Sequence, residues 1–287
     1  MVGLRLKEAR TTIAKKLRHN GIDAANFEAD YIISHVCGID IVHLIADSRR
    51  ILTSDEVDKI SDIVKKRIDG KPLQYLIGEW EFYSLPFLVG DGVLIPRQDT
   101  EVLVDRAIQI LNASGGDPVV ADLCSGSGCI AIAIKKNVPS ARVIAVERSV
   151  RAVEYLIKNK DRNNINIEEV VADVCEEFTL RGMPTFDMVV ANPPYLDRND
   201  IDNLQKEVTY EPREALYAGE DGLRFYREIT SIWTGQIKHG GILMYEIGQG
   251  QHDDVRQIML DNGVVNIEFE EDVNGIIRLV YGKINKE

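Results

Sequence analysis

Basic side chains are in deficit. The 287-residue chain carries 34 Lys and Arg against 46 Asp and Glu, a net charge of −12. A general binder of nucleic-acid backbone needs the opposite balance, so that class is disfavoured. Long apolar runs are lacking too: no 18-residue stretch is free of charges, and nothing is expected to span a membrane. Met1 to Arg18 is charged throughout and has no apolar centre, so no secretory leader is expected. Cysteine is sparse. Cys37, Cys124, Cys129 and Cys175 form no CxxC, and no His/Cys cluster has zinc spacing. Reduced thiols in a cytoplasmic protein without metal are the expectation. Apolar residues, at 45%, are not scarce, which excludes a disordered chain. The length suggests two domains, or one large domain with an appendage.

Residues 1–78 read as a small all-helical domain. Leu6, Ala9, Ile13, Ala14 and Leu17 recur at helical spacing, and Asn20-Gly21 ends that helix. Asp23 is a candidate cap for a second helix, which Gly38 ends. Thr53 and Glu56 form a capping box ahead of the stripe Ile60, Ile63, Val64 and Ile68. Residues 79–95 read as a β-hairpin linker, with Trp80–Tyr83 and Pro86–Val89 as its strands. From 96 to 287 strands and helices alternate, the signature of an α/β domain with a mostly parallel sheet. Seven strands are expected at Val119–Leu123, Val143–Glu147, Glu169–Ala172, Asp187–Asn192, Ile242–Ile247, Val265–Phe269 and Ile276–Tyr281. Asn274-Gly275 signals a two-residue hairpin turn between the last two, so the parallel sheet should end in an antiparallel pair. Helices are expected near 100–113, 128–137, 149–163, 221–237 and 250–262.

The first of these strands leads into a glycine loop, Asp122-Leu-Cys124-Ser125-Gly126-Ser127-Gly128, and a helix start. The spacing fits a dinucleotide fingerprint, with Glu147 ending the next strand about 20 residues on. Asp122 argues for a different ligand. A pyrophosphate wants bare N–H groups and no carboxylate nearby. S-adenosylmethionine has no phosphate but carries two cationic centres, which a carboxylate suits. Glu147 can accept both ribose hydroxyls, a contact NAD would share. Asp173, ending the third strand, can accept from an adenine amine. All three acids fall near predicted strand C-termini, where open α/β sheets bind ligands. Each also has a plain alternative: a helix cap for Asp122 or Asp173, a surface pair with Arg148 for Glu147.

The fourth strand ends in Asn192-Pro193-Pro194-Tyr195. Neither proline can donate to a ladder, so the strand stops and carbonyls are left without local donors. With the Asn192 amide oxygen they make a rigid set of acceptors, and Tyr195 offers an aromatic face. This combination suits a planar –NH2 with a delocalised lone pair. Its two N–H bonds can be held by acceptors, which orient it and stabilise positive charge as that charge develops. Side-chain amides and exocyclic nucleobase amines both qualify.

Other stretches narrow the choice: Gly70-Lys-Pro-Leu-Gln-Tyr75-Leu-Ile-Gly78, Leu94-Ile-Pro-Arg97-Gln-Asp99-Thr-Glu101, Glu211-Pro-Arg-Glu-Ala-Leu216, and Asp221-Gly222-Leu. With Asn192–Tyr195 they resemble the release factor glutamine methyltransferases, the HemK/PrmC family, over nearly the whole chain. The resemblance implies a Rossmann-like class I methyltransferase domain using S-adenosylmethionine, preceded by a helical substrate-docking domain. It implies methylation of the glutamine in the Gly-Gly-Gln motif of class I peptide chain release factors. Cys124–Gly128, Glu147, Asp173 and Val174 would then bind the cofactor, and Asn192 to Tyr195 the glutamine amide. A monomer with no direct nucleic-acid or membrane partner is expected. The sequence departs from the family's pattern in three places. Cys124 stands where the loop's first glycine is usual, so a positive φ there would be strained. Glu147 replaces a commoner Asp, which asks a longer side chain to fold back. Gln98 replaces a proline. Arg97 and Glu101 either pair on the first turn of their helix or help close over the cofactor. Phe82 and Tyr83 read as hairpin packing, and Glu246 as a buried structural acid.

A nucleic-acid amino-methyltransferase acting on adenine or guanine is the alternative reading, since the same motif could stack a flipped base. An NAD-linked oxidoreductase and a catalytically silent docking protein are weaker ones. The charge is unevenly spread: residues 1–80 hold 13 basic and 12 acidic side chains, and the remaining 207 hold 21 and 34. An acidic rim around the Asn192 pocket would repel naked RNA and attract a partner with a basic surface.

Overall fold

The computed structural model describes residues 3–46 and 49–286. The chain divides into two compact units: the stretch up to Gly78 together with Lys206–Tyr210, and Glu79–Gln205 together with Glu211 onward.

The first unit is helical: α1 (Leu6–His19), α2 (Ala25–Cys37), α3 (Ile41–Ala46), α4 (Ser54–Ile68) and α5 (Leu73–Ile77). Helix α1 buries the five apolar residues whose spacing marks it, each at most 4% exposed. Gly38 ends α2 in a left-handed conformation (φ 62°), which a residue with a Cβ adopts less readily. The capping box is present: Thr53 Oγ1 accepts from Glu56 N at 3.2 Å, and Glu56 Oε2 accepts from Thr53 N at 2.8 Å. Asp23 does not cap α2. The helix boundary falls at Ala24, one residue later, and no side chain caps it. Arg67, almost fully buried, lies between Glu28 (2.7 and 2.9 Å) and Glu207 (2.8 Å), a residue of the returning segment.

The second unit opens with a hairpin of β1 (Glu79–Phe82) and β2 (Leu85–Leu88), turned by Tyr83 and Ser84 at positive φ. Phe82 and Phe87 are buried edge to face, 6.0 Å between centroids. Rather than standing free as a linker, the hairpin is tied into this unit: Leu88 N donates to Asn159 Oδ1 at 2.7 Å, and Asn163 Nδ2 donates to Pro86 O at 2.9 Å. Then follow α6 (Glu101–Ser114), β3 (Val119–Leu123), α7 (Cys129–Asn137), β4 (Arg142–Glu147), α8 (Val150–Arg162), β5 (Glu168–Val171), β6 (Phe186–Ala191), α9 (Arg198–Asp202), α10 (Arg224–Trp233), β7 (Ile237–Glu246), α11 (His252–Asp261), β8 (Val264–Glu271) and β9 (Ile277–Ile284).

The seven-stranded sheet has the order β5-β4-β3-β6-β7-β9-β8. The first five strands are parallel and the last two pair antiparallel. Helices cover both faces, so the central strands are apolar on each side. One face packs against α6, α7 and the hairpin phenylalanines, the other against Tyr226, Ile229 and Trp233 of α10. Two details differ from expectation. Strand β7 starts five residues earlier than its apolar run, at Ile237, and β6 bulges beside it between Phe186 and Met188. The last turn spans residues 272–276 rather than two residues. Asp272 Oδ1 accepts from Asn274 N and Ile276 N there, holding a wider loop than Asn274-Gly275 alone would make. Because β4 and β6 flank β3 on opposite sides, a crevice opens at the C-terminal ends of these strands.

Candidate active site

Strand β3 ends at Leu123 and the chain turns sharply into α7. Three residues of the turn have positive φ: Cys124 (58°), Gly126 (53°) and Gly128 (80°). Cys124 thus adopts the left-handed conformation of the missing glycine, at a strain of roughly 1–2 kcal/mol. Gly128 is required for space as well as backbone: a Cβ there would fall 2.9 Å from Leu156 Cγ. The turn is closed by Gly128 N donating to Ser125 O at 2.8 Å and Ser125 Oγ donating to Asp122 O at 2.6 Å.

Glu147, the last residue of β4, folds back. Its Oε2 accepts from Gly126 N at 2.9 Å and its Oε1 from Ser149 N at 2.7 Å. The longer side chain therefore ties two loops together at the crevice. Arg148 does not pair with Glu147; it bonds Asp173 Oδ2 at 3.0 Å, while Asp173 Oδ1 accepts from Cys175 N. Together these hold the Asp173 carboxyl below its ordinary range, against the effect of its burial.

The crevice is an open cleft. Of the residues singled out in sequence, Arg97, Cys124, Ser125, Gly126, Ser127, Glu147, Asp173, Val174, Asn192 and Pro194 line it. Asp122 does not. It lies beneath the loop, fully buried, with Oδ2 accepting from Ala131 N at 3.1 Å and Oδ1 without a partner. Burial pushes its carboxyl up to about 7, against the pull of Ala131 N and Ser125. A residue inside the central strand has its side chain covered by the sheet's own helices, which is why its position in sequence did not place it on the wall. Gly128, at the start of α7, does not line the cleft either.

Asn192 follows the end of β6. Its Nδ2 donates to Thr100 Oγ1 at 3.2 Å. Pro193 and Pro194 are buried. Tyr195 is not on the cleft wall: its ring is half-buried against the core, and its carbonyl accepts from Gln251 Nε2 at 2.9 Å. Gly248 passes so close that a Cβ there would sit 3.1 Å from Tyr195 Cδ2. The aromatic face expected in front of the cofactor cleft is thus turned into packing, because two prolines redirect the chain before it. Glu246, the last residue of β7, is 2% exposed, and its Oε2 has no partner. Burial pushes it up to about 7, with the Thr100 and Asn192 side chains and Arg278 opposing.

Arg97 and Glu101 do not pair. Arg97 forms an ion pair with Glu211, whose other oxygen accepts from Ile95 N at 3.0 Å, and Glu101 Oε1 accepts from Tyr83 N at 2.7 Å. The chain enters α6 through a tight turn at Gln98–Thr100, which carries Arg97 away from Glu101. Residues that sequence reasoning did not single out also reach the cleft: Thr100, Ser149, Ala215 and Phe225. Thr100 and Ala215 each lie within a quoted motif, and that was the available signal.

The first unit matches the family model "PrmC N-terminal domain" over residues 8–78, and the second matches "Methyltransferase small domain" over 100–220. Release factor glutamine methyltransferase from Thermodesulfovibrio yellowstonii is 42% identical over 88% of this chain and 90% of its own length. The chain belongs to the release factor glutamine methyltransferase family. The relative from Geobacter sulfurreducens is 37% identical over 93% of each chain. A solved methyltransferase from Pyrococcus furiosus shares the fold, with TM-score 0.51 and 14% identity over 82% of this chain and all of that one. Membership makes the chain an enzyme of the methyltransferase class and implies S-adenosylmethionine as methyl donor. The cleft fits such a group. A carboxylate anchored by two backbone N–H groups stands at the end of β4, apolar Val174 and Phe225 lie nearby, and a further carboxyl sits under the loop. Among the described residues no helix is long and apolar enough to cross a membrane.

Proposed function

We propose that this enzyme transfers a methyl group from S-adenosylmethionine to the side-chain amide nitrogen of the glutamine in the Gly-Gly-Gln motif of class I release factors. The observation that carries this reading is the anchored Asn192 amide beside two prolines, in the same cleft as Glu147 and the glycine loop. The names of the relatives support the substrate.

S-adenosylmethionine supplies an electrophilic methyl on a cationic sulfonium when bound. Glu147 has lone pairs left to accept ribose hydroxyls, since each oxygen takes one N–H bond. Asp173, Val174 and the loop from Cys124 to Ser127 complete that subsite. Asn192 uses its Nδ2 on Thr100 and so presents Oδ1 as an acceptor. The carbonyl that precedes each proline has no N–H to bond on the following residue. A glutamine amide held by such acceptors points its nitrogen at the methyl. As the nitrogen would bond the methyl, the methyl–sulfur bond would break and S-adenosylhomocysteine would leave as a neutral thioether; the positive charge thereby passed to nitrogen is stabilised by aligned carbonyl dipoles until its proton is lost to water. The nitrogen loses that proton readily, so no strong base is needed before attack. Tyr195 braces the turn. The helical unit of residues 1–78 is proposed to dock the release factor, and a monomer is sufficient for this chemistry.

The test is transfer of labelled methyl to a release factor with its Gly-Gly-Gln glutamine intact or replaced. Label on the intact protein alone is expected. Equal labelling of both, or labelling of RNA or DNA instead, would overturn the reading.

A further inference from the structure

Glu246 is buried at the end of β7 with one carboxylate oxygen lacking any partner. A structural acid in a folded core normally has its oxygens satisfied. Its position is specific. Strands β6 and β7 are parallel with Ala191 opposite Tyr245, so the next step along each strand puts Asn192 beside Glu246. Thr100, also 2% exposed, is the third member: it accepts from Asn192 Nδ2, and the Glu246 carboxyl lies within reach of both side chains.

Resting on the proposed methylation of an amide nitrogen, we infer that Glu246 and Thr100 are positioning residues that set which way the Asn192 amide faces. A hydroxyl has one proton and can accept or donate toward a neighbour. When Glu246 is a carboxylate it accepts a hydrogen bond from the Thr100 hydroxyl, which keeps its proton. The Thr100 oxygen is then an acceptor, so Asn192 must turn its NH2 inward and its carbonyl oxygen toward the substrate. When Glu246 is neutral, the Thr100 hydroxyl is released to donate. Asn192 can then turn its oxygen inward and offer the substrate an NH2, which repels the amide hydrogens it should hold. The ionised acid thus keeps an acceptor, rather than a donor, facing the nucleophile.

The charged and titratable groups around Glu246 are Arg278 and Asp99, which pair with each other at 3.5 Å, together with Tyr195, Tyr226 and Cys129. Burial pushes the two tyrosine hydroxyls and the thiol upward, so none titrates near neutrality. Glu246, its carboxyl standing at about 7, is the group beside Thr100 and Asn192 whose charge changes between pH 6 and 8; Asp122, which also acts on Cys129, titrates in the same range but bonds Ala131 N instead, so Asp122→Asn should leave the acid limb in place.

The test uses the full-length enzyme with labelled S-adenosylmethionine and intact release factor, measuring kcat and KM from pH 5.5 to 9 and cofactor affinity by calorimetry. Wild-type kcat is expected to rise through an acid limb near pH 7. Glu246→Gln should lower kcat by roughly 10- to 100-fold, as expected when one hydrogen-bond acceptor to a reacting group is misplaced. It should also abolish the acid limb, with cofactor affinity within about threefold of wild type. Thr100→Val should lower kcat similarly, and Thr100→Ser should recover most of it. If Glu246→Gln does not fold, the Thr100 pair still decides. An active wild type whose kcat and acid limb survive both Glu246→Gln and Thr100→Val overturns this inference and leaves the proposed function standing. A wild type that does not label the release factor at any pH removes the proposed function itself.

Discussion

Glu211 holds two parts of the cleft together: one carboxylate oxygen accepts from Ile95 N at 3.0 Å and the other pairs with the Arg97 guanidinium. The carboxylate is almost fully buried, and Arg97 is about a third exposed. Residues 94–101 and 211–216, separated by more than a hundred positions, meet through this one side chain. Glu211→Ala strands a half-covered arginine and a backbone donor. The expected loss is about 2 kcal/mol of stability with a raised KM for substrate. Urea unfolding together with steady-state kinetics checks it, and unchanged values in both would show that the clamp is redundant.

Glu147 ties Gly126 N and Ser149 N to one carboxylate. In Glu147→Gln one of these donors meets an amide NH2 rather than an acceptor. Affinity for S-adenosylmethionine should fall about tenfold or more, with the fold intact. Calorimetric titration of the variant gives the answer, and affinity within twofold of wild type would contradict a cofactor role for this side chain.

Gly128 has φ 80° and no room for a Cβ. Gly128→Ala should destabilise the second unit by about 2–3 kcal/mol, adding backbone strain to overpacking against Leu156. Denaturant midpoints of the variant and wild type measure this. Gly126, where nothing lies within 4 Å of a Cβ, should tolerate Ala better, the remaining penalty coming from its φ of 53°.

Burial raises the Asp122 carboxyl from an ordinary 3.8 to about 7. In the unfolded chain it ionises near its ordinary value, so between about pH 4 and 7 the folded state binds the extra proton. The stability it contributes is present at low pH and is lost as pH rises toward 7. Wild type should therefore lose more stability between pH 5.5 and 7.5 than Asp122→Asn does. Urea titrations at the two pH values provide the comparison, and identical pH slopes would mean the carboxyl is ionised throughout.

The acidic excess lies entirely beyond residue 80, where 34 Asp and Glu face 21 Lys and Arg. Association with a release factor bearing a basic surface should slow as salt rises from 50 to 300 mM, because the screening length shrinks to several ångströms. Stopped-flow association rates test it, and a rate flat with ionic strength would mean that the charge does not steer the encounter.

Much was legible in sequence. The five apolar positions of α1, the Thr53 capping box and the strand Val119–Leu123 come out at the expected residues, because periodicity and caps are local. The seven-stranded sheet with an antiparallel end also followed from alternation of elements. So did the strain at Cys124, since a missing glycine in a tight loop implies a positive φ. What sequence determined, then, was the element order, the loop and the chemical repertoire of the site.

Tertiary structure decided which of those groups face the cleft and which lie behind it. Asp122 stands next to the loop in sequence but under it in space, Tyr195 turns into the core after its prolines, and Arg97 finds Glu211 rather than Glu101. The partnership of Thr100 with Asn192 spans 92 residues and depends on how α6 approaches the end of β6. Local pattern records whether a residue sits on a strand or a turn. Which long-range partner it meets is set by sheet order and helix packing, and these are properties of the assembled core.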